Sequence, residues 1–169
     1  MEIKDKKEQV LFGRLLRVVS DITLESTKNF NTRDFFKEKS KGGMFLYIQE
    51  DFFEHFSCEI KNSPAKILAR YETEEDMNQK QIIVDAKKSD IYEEVDLAHV
   101  MQICKRDIIN GERLLLRNRN SNLFLIRNKK SELCFVELSQ SGDRFWNISV
   151  GKVFDYGKFF FGYGLFFRN

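Results

Sequence analysis

Apolar residues near the start of the chain recur every three to four positions, at Leu11, Leu15, Val18 and Ile22. This spacing puts the side chains on one face of a helix, so the sequence predicts a helix over residues 5–24. A polar segment follows over residues 25–43 and predicts a loop.

Three further helical segments are predicted in the middle of the chain. Residues 52–56 have the aromatic spacing of one helical turn. Ser63-Pro64 is typical of a helix start, because serine caps the end and proline needs no N–H at the first position. Asp90 and Glu93 have the spacing of a capping box and predict a helix that ends at Asn110-Gly111.

The last third alternates between apolar segments and polar turns. Strands are predicted over 123–127, 133–138, 145–154 and 158–167, in addition to earlier strands at 44–48 and 81–84. Short turns between neighbouring strands favour an antiparallel β-meander. The predicted fold is therefore α+β, with N-terminal helices packed on a C-terminal antiparallel meander. The 169 residues suit one domain, with residues 1–43 as helix and loop and residues 44–169 as the α+β core.

Composition narrows the classes of protein without choosing among them. Hydrophobic residues make up 42% and charged residues 32%, which is an ordinary globular balance. No apolar run is long enough for a membrane span and no signal-peptide pattern begins the chain, so we expect a cytoplasmic protein without a membrane partner. The cysteines Cys58, Cys104 and Cys134 lie too far apart in sequence to suggest a disulfide framework or a metal knuckle.

Charge is distributed unevenly along the chain. Residues 1–110 carry a net charge of −3, whereas residues 111–169 carry +5. A polyanion would therefore bind the last third. The candidate RNA-binding side chains there are Arg117, Lys129 and Arg144, although separated arginines also commonly solvate the edge of a sheet.

Seven of the seventeen phenylalanines fall between Phe145 and Phe167. Most of them are expected in the core, because each buried ring stabilises the fold by about 1.5–3 kcal/mol. Three consecutive rings at 159–161 cannot all face one side of a strand, so one must point away from the core. Phe160 and Tyr163 are therefore candidate partner-binding residues.

The candidate chemistry needs neither a metal nor another cofactor. RNA can be cleaved through its own 2′-hydroxyl if a protein moves the protons and stabilises the charged phosphorus centre. A histidine suits the proton transfer and an arginine suits the phosphate. His55 is the candidate acid or base, while His99 lies on an apolar helical stripe and is expected in the core. Arg127 is the candidate phosphate ligand and Ser149 the candidate hydroxyl; both also have ordinary structural interpretations.

The segment L-Y-I-Q-E-D-F-F-E-H-F-S-C-E-I, residues 46–60, resembles the phenylalanine–histidine–leucine segment of phage-encoded nucleases in the barnase–EndoU–colicin–RelE-like superfamily. In that superfamily a histidine follows the first strand and a late strand carries a small hydroxyl residue. The resemblance covers residues 44–160. It implies that His55 is the family histidine, with Ser149 a looser match to the hydroxyl. Two departures are Phe56, where leucine is usual, and Ser57-Cys58, where glycine is common.

Two functions remain open at this point. The first is a metal-independent ribonuclease of phage or mobile-element type, acting on RNA or a ribonucleoprotein through His55, Arg127 and Ser149. The second is a non-catalytic protein-binding module, such as a mobile-element-encoded inhibitor of a host or rival nuclease. The two are separated by whether His55, an arginine and a hydroxyl converge on one cleft.

Overall fold

A computed structural model describes residues 10–117, 120–142, 145–153, 159–160 and 162–169. The described strands are β1 (Val10–Phe12), β2 (Leu15–Leu24), β3 (Thr27–Asn31), β4 (Phe45–Ile48), β5 (Glu59–Ser63), β6 (Lys66–Thr73), β7 (Met77–Asn78), β8 (Ser121–Arg127), β9 (Leu133–Ser141), β10 (Phe145–Lys152), β11 (Phe159–Phe160) and β12 (Gly164–Arg168). The described helices are α1 (Thr32–Phe35), α2 (Phe52–His55), α3 (Gln79–Lys88) and α4 (Leu97–Cys104). A 3₁₀ turn at Lys39–Lys41 and a π-helical turn at Lys105–Ile109 complete them.

Eight of the described strands form one mixed sheet in the order β1-β2-β6-β12-β8-β9-β10-β4. Most neighbours are antiparallel, but β12 runs parallel to β8 and β4 runs parallel to β10. The antiparallel pairs β3–β5 and β7–β11 form two small separate ladders. The strand β12 therefore joins the early half of the large sheet to the late half.

The large sheet is buried on both faces. Neighbouring residues such as Phe166 and Phe167 belong to different apolar clusters, because successive side chains of a strand point to opposite faces. One cluster, the α4-side core, packs under helix α4; the other, the α3-side core, packs under helix α3. Central strands with this environment are apolar on both sides instead of alternating.

This architecture shows that the predicted fold class is wrong. The described chain is mostly strand, 46% against 23% helical, and helices cover both faces of one large sheet instead of preceding a C-terminal meander. No helix in the described part of the chain is long and apolar enough to cross a membrane.

The largest error lies at the start of the chain, where β1 and β2 replace the predicted helix. The pairing of β2 with β6 slips between Arg17 and Val19, and again between Val19 and Ile22. Each slip changes the face to which the following residues point. Leu15 packs in the α3-side core, but Val19, four residues later, packs against the α4-side core, and so does Ile22, three residues after Val19. The irregular period that results imitates the spacing of a helix.

In two more segments the predicted type of element is wrong: a strand stands where a helix was predicted, and a helix stands where a strand was predicted. Ser63-Pro64 does not open a helix but precedes β6, whose Leu68 and Ala69 are fully buried on opposite faces. Residues 81–84, predicted as a strand, lie inside α3, which begins with a capping box between Asn78 and Gln81. The apolar run in α3 is therefore a buried helical face, which short sequence windows cannot distinguish from a buried strand.

The fourth predicted helix exists but begins later than expected. Asp90 has a left-handed backbone with φ of 55°, so it belongs to a turn. Asp96 caps α4 instead, because its side chain accepts hydrogen bonds from the amides of Ala98 and His99. The helix then continues into the π-helical turn and ends at Asn110, close to the predicted end.

The predicted meander is confirmed for three strands. The strands β8, β9 and β10 pair antiparallel in succession, and Gly142 has the left-handed backbone expected of a turn. The last strand does not extend this meander. It pairs with β6 and β8 instead of β10, and so lies in the middle of the sheet.

Candidate functional site

Helix α2 places His55 at the rim of the α4-side core. Phe52 and Phe56 are buried in that core and contact each other, with ring centroids 5.2 Å apart. The side chain of His55 keeps 22% of its surface exposed. The main-chain amide of Lys129, in the turn between β8 and β9, donates a hydrogen bond of 2.9 Å to the carbonyl oxygen of His55. The ring is therefore held near a turn that carries lysines.

A chain of polar contacts orients this imidazole. Nε2 of His55 lies 3.3 Å from Oδ2 of Asp51, one helical turn earlier. The other oxygen of Asp51 accepts a hydrogen bond of 2.6 Å from Nε2 of Gln49. The amide of Val150, on β10, donates to Oε1 of Gln49 over 2.8 Å. The carboxylate that faces the histidine is thus fixed to the edge of the large sheet.

His55 opens into a cavity of about 210 Å³, here called the histidine cavity. The residues that line it are Glu54, His55, Asn128, Lys129, Lys130, Glu132 and Lys152. Nζ of Lys152 lies 3.7 Å from Oε1 of Glu132. A hydrogen bond from Asn128 and the charge of Lys152 lower the pKa of Glu132. Lys129 and Lys130 have no carboxylate within ion-pair distance in the described part of the chain, so their charges remain available to an anion.

A second cavity of about 130 Å³, the Arg127 cavity, lies on the other side of the same turn. It shares Asn128 and Lys129 with the histidine cavity and adds Ser57 and Arg127. Arg127 already forms an ion pair, because its guanidinium contacts the carboxylate of Glu94 at 2.8 Å and 2.9 Å. The hydrogen bond to Glu94 raises the pKa of Arg127.

The structure therefore brings His55, Arg127 and Lys129 to one end of the sheet but separates Ser149 from them. Ile148 and Val150 pack in the α4-side core, so Ser149 between them points to the opposite face. It lies opposite Glu137 of β9, away from the lining of both cavities. Ser57, two residues after His55 in sequence, lines the Arg127 cavity.

Arg117 also lies outside both linings. Its guanidinium binds the buried carboxylate of Asp107 at 2.6 Å and lies 5.9 Å from the ring centroid of Trp146. The same carboxylate accepts a hydrogen bond of 2.7 Å from the amide of Leu115. These contacts fold the segment after the π-helical turn against the sheet.

The remaining predicted residues differ in what can be said of them. Arg144 lies outside the described residues. The backbone of Phe160 pairs with Met77 in the β7–β11 ladder, but its side chain lies outside the described part. Tyr163 is partly buried against the α3-side core, and burial raises the pKa of its hydroxyl.

A buried serine–histidine–aspartate group lies elsewhere, between β5 and α4. Oγ of Ser63 is 3.1 Å from Nε2 of His99, whose Nδ1 is 3.1 Å from Oδ1 of Asp96. The carbonyl oxygen of Pro64 is 2.7 Å from the same Nε2 and can only accept, so Nε2 carries a proton. It cannot take a proton from Ser63, which is fully buried. The group is structural, as expected for His99.

Several residues at the candidate site were not predicted from the sequence, namely Gln49, Asp51, Ser57 and Lys152. Asp51 could have been identified from the sequence, because a carboxylate four residues before a histidine shares its helix face. Lys152 could not, since the pairing of β10 with β9 brings it to the cavity.

Comparison of the chain with family models, with curated proteins and with solved structures finds no match.

Proposed function

We propose that this protein binds RNA through the histidine cavity and cleaves it without a metal ion, with His55 as the proton acceptor. The observation that carries the proposal is the grouping of an Asp51-paired imidazole with three lysines in one open cavity. Lysine ammonium groups attract the phosphate, and a carboxylate-oriented imidazole is suited to proton transfer.

The proposed reaction uses the groups that line the histidine cavity. Neutral His55 takes the proton of the ribose 2′-hydroxyl, and the 2′ oxygen forms a bond to phosphorus. The bond from phosphorus to the 5′ oxygen breaks, leaving a 2′,3′-cyclic phosphate, and the 5′ oxygen takes a proton from water. The hydroxide that this leaves takes the proton from His55, which returns to its neutral form. Lys129 and Lys130 stabilise the negative charge that develops on the phosphate oxygens. Arg127 would contribute only by releasing Glu94, so the lysines replace it in the role of phosphate ligand.

Incubation of mixed RNA with the protein in EDTA tests this function. We expect cleavage by the wild type and loss of cleavage in His55→Gln, which keeps a polar side chain but cannot exchange a proton near neutral pH. Lys28→Ala is the matched control, because Lys28 is exposed on β3 and lines neither cavity. Cleavage that survives His55→Gln, or that disappears in EDTA, would contradict the proposal.

A non-catalytic protein-binding role is the second candidate, and one observation favours it. Leu46 and Tyr47 are 47% and 50% exposed on β4, which forms one edge of the large sheet. Exposed large apolar residues at a sheet edge are typical of binding surfaces. A wild-type protein that leaves RNA intact but inhibits a purified basic ribonuclease would favour this candidate, provided that Leu46→Ser with Tyr47→Ser abolishes the inhibition.

A further inference from the structure

A larger cavity, about 450 Å³, lies beside helix α2 and is lined by residues of α1, the 3₁₀ turn and the segment after β4. We call it the Phe53 cavity. Its volume is within the range of small-molecule sites, which is roughly 300–1,000 Å³. None of the residues that line it belongs to the lining of the histidine cavity.

Three cations form one wall of the Phe53 cavity, namely Arg33, Lys37 and Lys41. Arg33 and Lys41 have no carboxylate within ion-pair distance among the residues that the structure describes. Lys37 has one, with its Nζ 4.0 Å from the exposed Asp34. By contrast, Arg14, Arg106 and Arg117 each bind a carboxylate closely. Lys37 and Lys41 therefore offer charge that no close carboxylate of the described chain neutralises, whereas Arg33 already contacts the ring of Phe53 and the sulfur of Cys58.

The floor of the cavity is apolar and firmly held. The ring of Phe53 packs edge-on against the buried ring of Phe52, with centroids 5.4 Å apart. The guanidinium of Arg33 lies 4.9 Å from the centroid of Phe53. Ile48 is buried beside them. The guanidinium of Arg33 therefore already covers one face of this ring, and a flat ring entering the cavity would contact the remaining surface of Phe53.

Two carboxylates, those of Glu38 and Glu50, also line the cavity. Carboxylates would oppose a simple polyanion, but they accept hydrogen bonds from sugar hydroxyls in nucleotide sites. Oε1 of Glu38 already accepts the amide of Ile48 over 3.5 Å, which holds one of them in place. The mixture of three cations, a flat apolar floor and hydroxyl acceptors matches a nucleotide better than an inorganic anion or an acidic peptide.

The cavity wall is built by a tight loop. The amide of Gly43 donates a hydrogen bond of 2.9 Å to the carbonyl of Glu38, and Gly42 has a left-handed φ of 79°. A Cβ atom at Gly43 would lie 1.8 Å from the carbonyl oxygen of Lys37. The absence of a side chain at Gly43 therefore allows the backbone that carries the cations to fold this closely.

We propose that the Phe53 cavity binds a nucleotide, with its phosphate on Arg33, Lys37 and Lys41 and its base against Phe53. The nucleotide is either free or a unit of the RNA strand whose cleavage is proposed above; only the second source rests on that function. Phe53 and His55 lie two positions apart on α2, so the two cavities flank the same helix.

Titration of the protein with adenosine 5′-monophosphate, followed by NMR, tests the proposal. We expect saturable shifts at the cavity, and Lys37→Ala with Lys41→Ala should weaken binding at least about tenfold because two charged hydrogen bonds are lost. Lys28→Ala with Lys61→Ala removes the same charge from exposed residues outside the cavity and should leave the affinity within about twofold. Phe53→Leu should weaken the binding of the nucleotide but not the binding of inorganic phosphate.

Two results would overturn the proposal: no saturable shift at millimolar nucleotide, or equal losses in the cavity and control variants. Thermal melts check that each variant is folded. Short single-stranded RNA separates the two sources, because a strand-bound nucleotide requires that the Lys37 and Lys41 variant also loses RNA affinity. His55→Gln should abolish cleavage without changing nucleotide binding, so failure of the ribonuclease function and failure of this site are distinguishable.

Discussion

The main-chain amide of Lys129 donates a hydrogen bond to the carbonyl oxygen of His55, 2.9 Å away. Both groups belong to the backbone, so the bond survives substitution of either side chain. It fixes the helix that carries the imidazole against the turn that carries the lysines. The lysine charges can therefore be removed without moving His55, so their contribution can be measured with the imidazole still in place.

Lys129→Ala with Lys130→Ala should weaken RNA binding about tenfold and reduce the slope of log affinity against log salt by about two, because each lysine displaces about one counterion. The measurement is RNA binding at several salt concentrations. The variant Lys28→Ala with Lys61→Ala is the control for net charge. An unchanged salt slope would place the bound RNA elsewhere.

Asp51→Asn should lower kcat for RNA cleavage about tenfold and leave KM nearly unchanged, because it removes the charge that orients the imidazole but touches no phosphate ligand. Gln49→Leu should have a smaller effect in the same direction, since Gln49 acts through Asp51. Steady-state kinetics on a short RNA checks both. A rise in KM with unchanged kcat would show that Asp51 does not act through His55.

His99→Ala should destabilise the fold by about 2–4 kcal/mol, because it leaves buried polar partners without hydrogen bonds. The partners are the hydroxyl of Ser63 and the carbonyl of Pro64. Urea unfolding measures the loss. Ser63→Ala should cost less, about 1–2 kcal/mol, and neither variant should change RNA cleavage at a temperature where it stays folded. A loss below 0.5 kcal/mol for His99→Ala, on the order of a surface substitution, would be incompatible with the buried network.

The ion pair between Arg14 and Asp85 makes stability depend on pH. Nε of Arg14 donates to Oδ2 of Asp85 over 2.8 Å, and this hydrogen bond lowers the pKa of Asp85. A lowered carboxyl pKa stabilises the fold above the pKa of the unfolded chain, and this stabilisation is lost as the pH falls through the folded pKa. Asp85→Asn should lower the melting temperature at pH 7 and reduce its further decrease toward pH 3. If the melting temperature of Asp85→Asn falls as steeply with decreasing pH as that of the wild type, the prediction is contradicted.

Gly43→Ala should destabilise the protein by about 1–3 kcal/mol, because the new methyl group meets the carbonyl of Lys37. Gly151→Ala is the matched control, since nothing lies within 4 Å of a Cβ at Gly151. Thermal unfolding compares the two. Equal stability of the two variants would show that the loop relaxes readily, and the Phe53 cavity would then not be preformed.

The sequence carries enough information for local features of the late sheet. The apolar segments around Leu125 and Val136 are separated by a polar turn, and short turns join antiparallel neighbours, so the β8–β9 hairpin could be predicted. The prediction for the start of the chain was wrong for a different reason. The two register slips in β2 destroy its period of two, and such slips depend on the partner strand β6, which lies far along the chain.

The candidate site, too, could be predicted only in part from the sequence. His55 and Lys129 could be singled out by residue type and local charge, and the structure places them together. The separation of Ser149 from His55 could not be foreseen, because the face to which a strand residue points depends on pairing and register. Gln49 likewise contacts Asp51 only because Val150 of β10 holds its other end.

The position of β12 has a consequence for how the protein is made. Among the described strands, β12 is the one that connects the β1-β2-β6 half of the large sheet to the β8-β9-β10-β4 half. It is also the last of them to leave the ribosome. Until it arrives, the inner edges of both halves are unpaired and open to mispairing with other chains. Completion of this sheet therefore waits for the last of its strands to be made, and a holding chaperone would protect the two open edges until then.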